Sequence, residues 1–279
     1  MKNEINVNAY FERIGYKGDT GPTLETLQGI VRHHSASIPF ENVDVLLRRP
    51  IQLDLRSLED KLVYAERGGY CFEQNNLLRA VLEALNFRVT GLAARVLLNA
   101  APDVVPARQH MVLRIDLDTG AYIADVGFGG TTPTAPLRLE TGTEQQTPHE
   151  VFRLITMESD FVLQARLGEA WKPLYRFDLH PQLLPDYEVS NWYVSTHPDS
   201  HFLRDLMVAR AGSDARYTLS NDEFTIRRLD GPGERRRLTS TTEIRDVLQT
   251  TFRLPLPQSR EIDSALDAVI SRTRSTANV

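Results

Sequence analysis

Arg67-Gly68-Gly69-Tyr70-Cys71-Phe72-Glu73-Gln74-Asn75 is the stretch around which the chain is organised. The Gly68-Gly69 pair breaks the backbone. A helix follows from about Cys71 to Leu85, with Leu77, Leu78, Val81, Leu82 and Leu85 at i, i+3, i+4 spacing. Upstream the helical period recurs. Val7 to Ile14 carries Tyr10, Phe11 and Ile14 on one face. Thr23 caps a helix through Leu24, Leu27, Ile30 and Val31, which stops before Ile38-Pro39 because a residue preceding proline avoids the α region. Ser57 to Ala65 reads as a third helix, with Ser57 and Asp60 as its start signal.

Downstream of Phe87 the period falls to two. Arg88 to Leu92 and Ala94 to Leu98 are short β-like runs. His110 to Asp116 alternates, Asp118-Thr119-Gly120 is turn chemistry, and Tyr122 to Val126 returns as the second arm of a hairpin. Val151 to Ile155, Phe161 to Ala165 and Trp171 to Phe177 continue the β region, and Pro-containing loops are expected to about Pro198. The last 80 or so residues mix types. Phe202 to Met207 reads as a short helix, Tyr217 to Leu219 and Glu223 to Arg228 as strands, and Glu243 to Thr251 and Ile262 to Ile270 as helices, with a fraying tail from Ser271. Helices first, then strands, then a mixture indicate an α+β fold with segregated parts rather than alternating βαβ units.

The 279 residues carry 32 Lys+Arg against 37 Asp+Glu, a formal net charge of -5 that leaves no basic surplus for nucleic acid. No apolar run approaches the roughly 20 residues of a membrane-crossing helix, and the first residues lack a signal-peptide core. The expectation is a cytoplasmic protein without nucleic-acid or membrane partners. A single cysteine excludes an internal disulfide and leaves one thiol to explain.

Cys71 opens the strong helix, where unpaired N–H groups and the helix dipole favour a thiolate. The plainer alternative is a small buried hydrophobe. A nucleophilic Cys needs a base. Among the seven histidines, His110 begins an apolar strand whose returning partner brings Asp125. If Asp116 pairs with Ala121, His110 and Asp125 share one face as diagonal neighbours, roughly 7–8 Å apart at Cα. A shift of one residue sends them to opposite faces, and the residues alone leave both registers open. His197 and His201 have i, i+4 spacing but are separated by Pro198, so no metal site is expected. Were the three to meet, Cys71, His110 and Asp125 would have the nucleophile, base and orienter roles of acyl-transfer enzymes, with helix N–H groups at the oxyanion.

Ile38-Pro39-Phe40-Glu41-Asn42, the stretch around Cys71, His110 and Asp125-Val126-Gly127-Phe128-Gly129 together resemble the arylamine N-acetyltransferases. The resemblance continues through Asn191-Trp192-Tyr193 and Pro198-Asp199-Ser200-His201-Phe202, with one departure at Gln109, where a hydroxyl residue is expected. It implies a helical bundle over 1–86, a β-barrel over 87–196 and an α/β lid over 197–279, around a core like that of cysteine proteases and transglutaminases. It implies ping-pong transfer of acetyl from acetyl-coenzyme A, as co-substrate, through a Cys71 thioester to arylamines, arylhydrazines or N-hydroxyarylamines, by a monomer or homodimer.

Carried over by position, Cys71 is the nucleophile, His110 the base and Asp125 the orienter. Phe128 lines the acceptor pocket, with Tyr70, Phe40 and Phe202 as further walls, and Gly127, Gly129, Gly130 and Thr131 lie near the coenzyme's pyrophosphate. Glu41 and Arg67 look like a pair steadying the nucleophile's turn, whereas Arg48-Arg49 and Arg235-Arg236-Arg237 read as solvated faces. Two other readings remain at this point. A cysteine hydrolase or transglutaminase-type enzyme shares the triad, which fixes the nucleophile and not the acceptor. A binding protein would hold Cys71 in its core.

Overall fold

The computed structural model describes residues 4–101 and 103–276. Its first part is helical: α1 (Val7–Ile14), α2 (Leu24–Ser37), α3 (Val43–Leu46), α4 (Leu55–Leu58) and α5 (Cys71–Ala84), with a two-residue strand β1 (Phe40–Glu41) between α2 and α3. Thr23 caps α2 through its side chain, and Ile38 ends it in an extended conformation, as the following proline demands. The third helix starts earlier than Ser57: Asp54 is its cap, accepting from Ser57 N at 3.1 Å, and α4 runs on as a π-helical turn over Glu59–Tyr64. Ser57 therefore lies inside the first turn, where its N–H needs the acceptor that Asp54 supplies.

The middle part is one antiparallel eight-stranded sheet. Its strands are β2 (Arg88–Val96), β3 (Arg108–Leu117), β4 (Gly120–Ala124), β5 (Leu137–Arg138), β6 (Glu144–Gln146), β7 (Val151–Met157), β8 (Asp160–Leu167) and β9 (Ala170–Phe177), ordered β5-β4-β3-β2-β9-β8-β7-β6. The two expected runs over 88–98 are one strand with a shift of register at Ala94/Arg95. The edge strands meet through a side chain. Gln145 Oε1 accepts from Arg138 N at 2.7 Å and Gln145 Nε2 donates to Arg138 O at 2.9 Å. That amide stands in for a backbone ladder and leaves the sheet nearly closed into a barrel.

Residues expected to form Pro-containing loops up to Pro198 instead contain helix α6 (Leu184–Thr196). Pro185 stands in its first turn, where a missing N–H costs nothing. The remainder forms β10 (Met207–Ala211), β11 (Ala215–Ser220), β12 (Glu223–Arg228), β13 (Glu234–Arg237), α7 (Thr241–Thr250) and α8 (Arg260–Thr276). The expected helix over Phe202 to Met207 is a single 3-10 turn at His201–Leu203 leading into β10, because the backbone of Met207 pairs across the sheet with Ser220. The tail expected to fray from Ser271 is helical to Thr276, and residues 277–279 lie outside the described residues.

Two contacts lock the parts together around the site. Strand β1 pairs with β10, Phe40 opposite Ala209, so an N-terminal segment completes the C-terminal sheet. Asn42 then donates to the carbonyls of Phe202 at 3.1 Å and Asp205 at 2.7 Å and accepts from Met207 N at 2.8 Å. No helix among the described residues is long and apolar enough to cross a membrane.

Candidate active site

Cys71 is the first residue of α5, and the turn before it is held on every side. Tyr70 N donates to Glu73 Oε2 at 3.0 Å, so Glu73 reaches back over the helix start. Burial pushes the Glu73 carboxyl up, against the pull of Lys61 Nζ at 2.7 Å. Lys61 also pairs with Asp44 at 2.7 Å, and Arg67 pairs with Glu41 at 2.6 Å and Asp44 at 3.3 Å. The expected Glu41–Arg67 pair is thus one edge of an ion network under the turn that joins Glu41, Asp44, Lys61, Arg67 and Glu73 and extends from Asp44 to Arg49 at 3.7 Å. Gly68 has no room for a side chain: a Cβ there would stand 2.1 Å from Pro39 O.

The hairpin takes the register that brings His110 and Asp125 together. Asp116 faces Ala121 and Leu113 faces Ala124. His110 Nε2 lies 2.7 Å from Asp125 Oδ2, with both side chains buried. Asp125 Oδ1 accepts from Asn75 Nδ2 at 3.0 Å and Gly127 N at 2.9 Å. Burial opposes a charge on the His110 ring. The Asp125 carboxylate outweighs it, with help from the Cys71 sulfur, and the pKa is pushed up to about 10. The carboxylate therefore favours the protonated form of the ring. Gly127 lets the strand end approach the nucleophile: a Cβ on it would stand 2.5 Å from Cys71 Cα.

Cys71 and His110 open onto a cavity of about 710 Å³ whose walls include Phe40, Phe128, Phe202 and the loop from Gly127 to Thr131. Phe128 stands edge-on to His110, ring centroids 5.2 Å apart. Tyr70 is not among the lining residues. It is fully buried behind the wall, with its ring 5.5 Å from Phe202 and its hydroxyl donating to Asn191. Gly127 lines the cavity but its N–H is taken by Asp125. Among the described residues, the N–H groups of Phe128, Gly129, Gly130 and Thr131 find no protein acceptor, and Gly129 adopts φ +89°. A run of unpaired amides beside a cavity suits an anionic group.

A family model described as N-acetyltransferase matches residues 23–261. The arylamine N-acetyltransferase of Mycobacterium tuberculosis is 42% identical over 275 residues, covering 96% of this chain and 97% of that protein. The chain belongs to the arylamine N-acetyltransferase family. The arylamine N-acetyltransferase / N-hydroxyarylamine O-acetyltransferase of Salmonella typhimurium is 41% identical, covering 89% of this chain and 88% of its own length. The solved structure of the Mycobacterium marinum arylamine N-acetyltransferase in complex with CoA superposes with a TM-score of 0.91 at 41% identity, over 95% of this chain and 99% of that one. The mixed helix-and-sheet architecture is accordingly that of solved arylamine N-acetyltransferases.

Several residues of this family member carry geometry that sequence reasoning missed. Asn75 touches both halves of the site, and its place four residues after Cys71, on the same helix face, was the available signal. Tyr175 packs 5.0 Å from His110 and 5.3 Å from Phe128, ring to ring. Its buried hydroxyl lies near Asp125 without reaching hydrogen-bond geometry, and burial first, then that carboxylate, holds its pKa well above the ordinary range. Asn191, quoted above for its motif, donates to Ile51 O at 3.0 Å and accepts from Tyr70, which fixes α6 against the cap of α5. The arginines of β13 are exposed along that strand, with Arg235 paired to Glu223 and Arg237 to Asp222. Among the described residues no cluster of three His, Cys, Asp or Glu is placed to hold a metal ion.

Proposed function

We propose that this protein transfers acetyl from acetyl-coenzyme A to arylamines, arylhydrazines or N-hydroxyarylamines through a thioester on Cys71. The observation that carries the reading is the 2.7 Å His110–Asp125 pair, set with Cys71 at the wall of an aromatic-lined cavity. The free amides of residues 128–131 fit the donor's phosphates, and the rings of Phe40, Phe128 and Phe202 fit a flat aromatic acceptor. We assign Cys71, His110 and Asp125 the catalytic roles, and Tyr70 a supporting place behind Phe202.

The attacking form pairs a Cys71 thiolate with a His110 imidazolium. Cys71 Sγ attacks the acetyl carbonyl, and a carbon–sulfur bond to Cys71 forms as the bond to the donor's sulfur breaks. His110 gives its proton to that departing sulfur. The Cys71 N–H at the start of α5 faces the developing oxyanion. The acceptor nitrogen then attacks the acetyl-Cys71 carbonyl, the new carbon–nitrogen bond forms, and the thiolate leaves. Neutral His110 takes the proton from nitrogen, which restores the starting state. Arylamines are neutral at pH 7, so little deprotonation is needed before attack.

We take the segment from residue 197 onward as the cover that keeps water from the acetyl-enzyme, on a core of the cysteine-protease and transglutaminase kind, with units near 1–86, 87–196 and 197–279. A nucleophilic thiol that must remain reduced suits the cytoplasm. Initial rates measured over a grid of acetyl-coenzyme A and an arylamine test the reading. Parallel double-reciprocal lines are expected, and intersecting lines or a requirement for a ternary complex contradict it.

A further inference from the structure

Arg216 on β11 and Arg227 on β12 are direct cross-strand partners. Two like charges in that position repel, which costs a sheet stability unless something offsets it. Both reach the same neighbouring loop. Arg216 Nη2 donates to Thr132 O at 2.6 Å, and Arg227 Nη2 donates to Gly130 O. Arg216 is almost fully buried and is matched by Glu150, which accepts from its Nε at 2.7 Å and from its Nη2 at 2.6 Å. Arg227 has no ion pair among the described residues. Burial lowers its pKa first, Glu150 raises it, and Arg216 lowers it further. Gly130 lies so close to β11 that an added Cβ would stand 3.0 Å from Thr218 Cγ2.

We propose that Arg216 and Arg227 are positioning residues that clamp the 128–132 loop to the C-terminal sheet. The two guanidinium groups draw the carbonyls of Gly130 and Thr132 toward the sheet. The amides of Phe128 to Thr131 then keep no protein acceptor and remain available to an anionic ligand at the cavity wall. The repulsion between the arginines is offset by Glu150 and by the two carbonyls, so seating the loop stabilises this face of the sheet. The C-terminal sheet therefore acts on donor affinity without touching the reacting atoms. The donor's identity rests on the function proposed above; the clamp itself does not.

Arg227→Met removes the donor and the charge while keeping an extended side chain, and it leaves the Arg216–Glu150 pair in place. Two quantities are measured on the full chain: hydrogen–deuterium exchange of the 126–134 peptide without ligand, and the Kd for coenzyme A by calorimetry. The expected result is faster exchange confined to that loop, with coenzyme A bound about tenfold more weakly, the scale of one lost charge-assisted hydrogen bond. The rate of Cys71 alkylation by iodoacetamide stays at the wild-type value, which separates the clamp from damage to the nucleophile. Arg227→Lys, which keeps a charged donor, provides the same readings should the first variant fail to fold, with a smaller effect. Unchanged loop exchange overturns the clamp, even with weakened binding, because Arg227 would then act on the ligand directly. Faster exchange with unchanged affinity overturns its link to the donor. A wild-type protein that does not bind coenzyme A defeats the proposed function, while the exchange measurement still reports on the clamp.

Discussion

Asn75 Nδ2 stands 3.0 Å from Asp125 Oδ1, so the helix that begins with the nucleophile also holds the carboxylate that orients the histidine. Asn75 further donates to Met111 O at 2.8 Å and accepts from Val126 N at 3.0 Å, tying α5 to both arms of the hairpin. The relative placement of Cys71, His110 and Asp125 is thereby set by one buried amide. Replacement of Asn75 by Ala leaves a carbonyl and an N–H buried without partners, each costing about 1–3 kcal/mol. Stability measured by urea unfolding is expected to fall by about 2–5 kcal/mol. Turnover is expected to drop more than donor affinity, because the amide acts on the triad rather than on the cavity wall.

Asp125→Asn keeps the shape of the side chain and removes the charge that, against burial, raises His110 to a pKa of about 10. Burial then dominates and the ring becomes neutral at a lower pH. Turnover at neutral pH is expected to fall by about 10³–10⁴-fold, the scale seen when a catalytic histidine loses its orienting carboxylate. The alkaline limb of the acetylation rate is expected to move toward acid. A variant with wild-type turnover and an unmoved limb excludes the orienter role.

Gly127→Ala tests the close approach of hairpin and helix. Its Cβ would meet Cys71 Cα at 2.5 Å, and neither atom can rotate away as a side-chain tip would. The strand end must move off α5, at a cost of about 1–3 kcal/mol for overpacking. The displaced Asp125 then no longer aligns His110, so activity is expected to fall well beyond what the stability loss explains. Near-wild-type kinetics in a folded variant contradict this geometry.

Two buried histidines give stability opposite slopes on the two sides of pH 6.5. Burial drives His34 down to about 3, and Tyr10 and Gln74 hold its ring at 2.8 and 3.1 Å. Its folded pKa lies below the unfolded value, so its contribution is intact above about pH 6.5 and is lost as pH falls toward 3. His110 is the reverse: its contribution is intact below about pH 6.5 and is lost as pH rises through 10. Each slope approaches about 1.4 kcal/mol per pH unit for one proton. Unfolding free energies between about pH 5 and 9 are expected to peak at about pH 6.5, with His34→Gln flattening only the acid side.

The sequence carried most of the helical order and the existence of the hairpin, because both rest on local rules, whereas the hairpin's register stayed open until the strands were seen paired. Thr23 caps α2, Pro39 ends it, and Gly68-Gly69 sets the start of α5. Helix α6 was illegible because its buried side mixes Tyr187, Asn191, Val194 and Ser195, while Val189 and Trp192 face outward, which erases the amphipathic period. Phe202 to Met207 carries helical spacing, but pairing in the sheet overrides it. Within the site, Cys71, His110 and Asp125 were marked by their residue types and spacing. Tyr175, Arg216 and Arg227 were not, since their roles arise only when distant strands meet.

The thioester on Cys71 is the point on which the account stands. Intact-mass measurement after incubation with acetyl-coenzyme A, in the absence of acceptor, reads it directly. The account predicts a gain of one acetyl group, mapped to the Cys71 peptide, absent in Cys71→Ala and discharged on adding an arylamine. No gain in mass, or acetyl carried elsewhere on the chain, contradicts it.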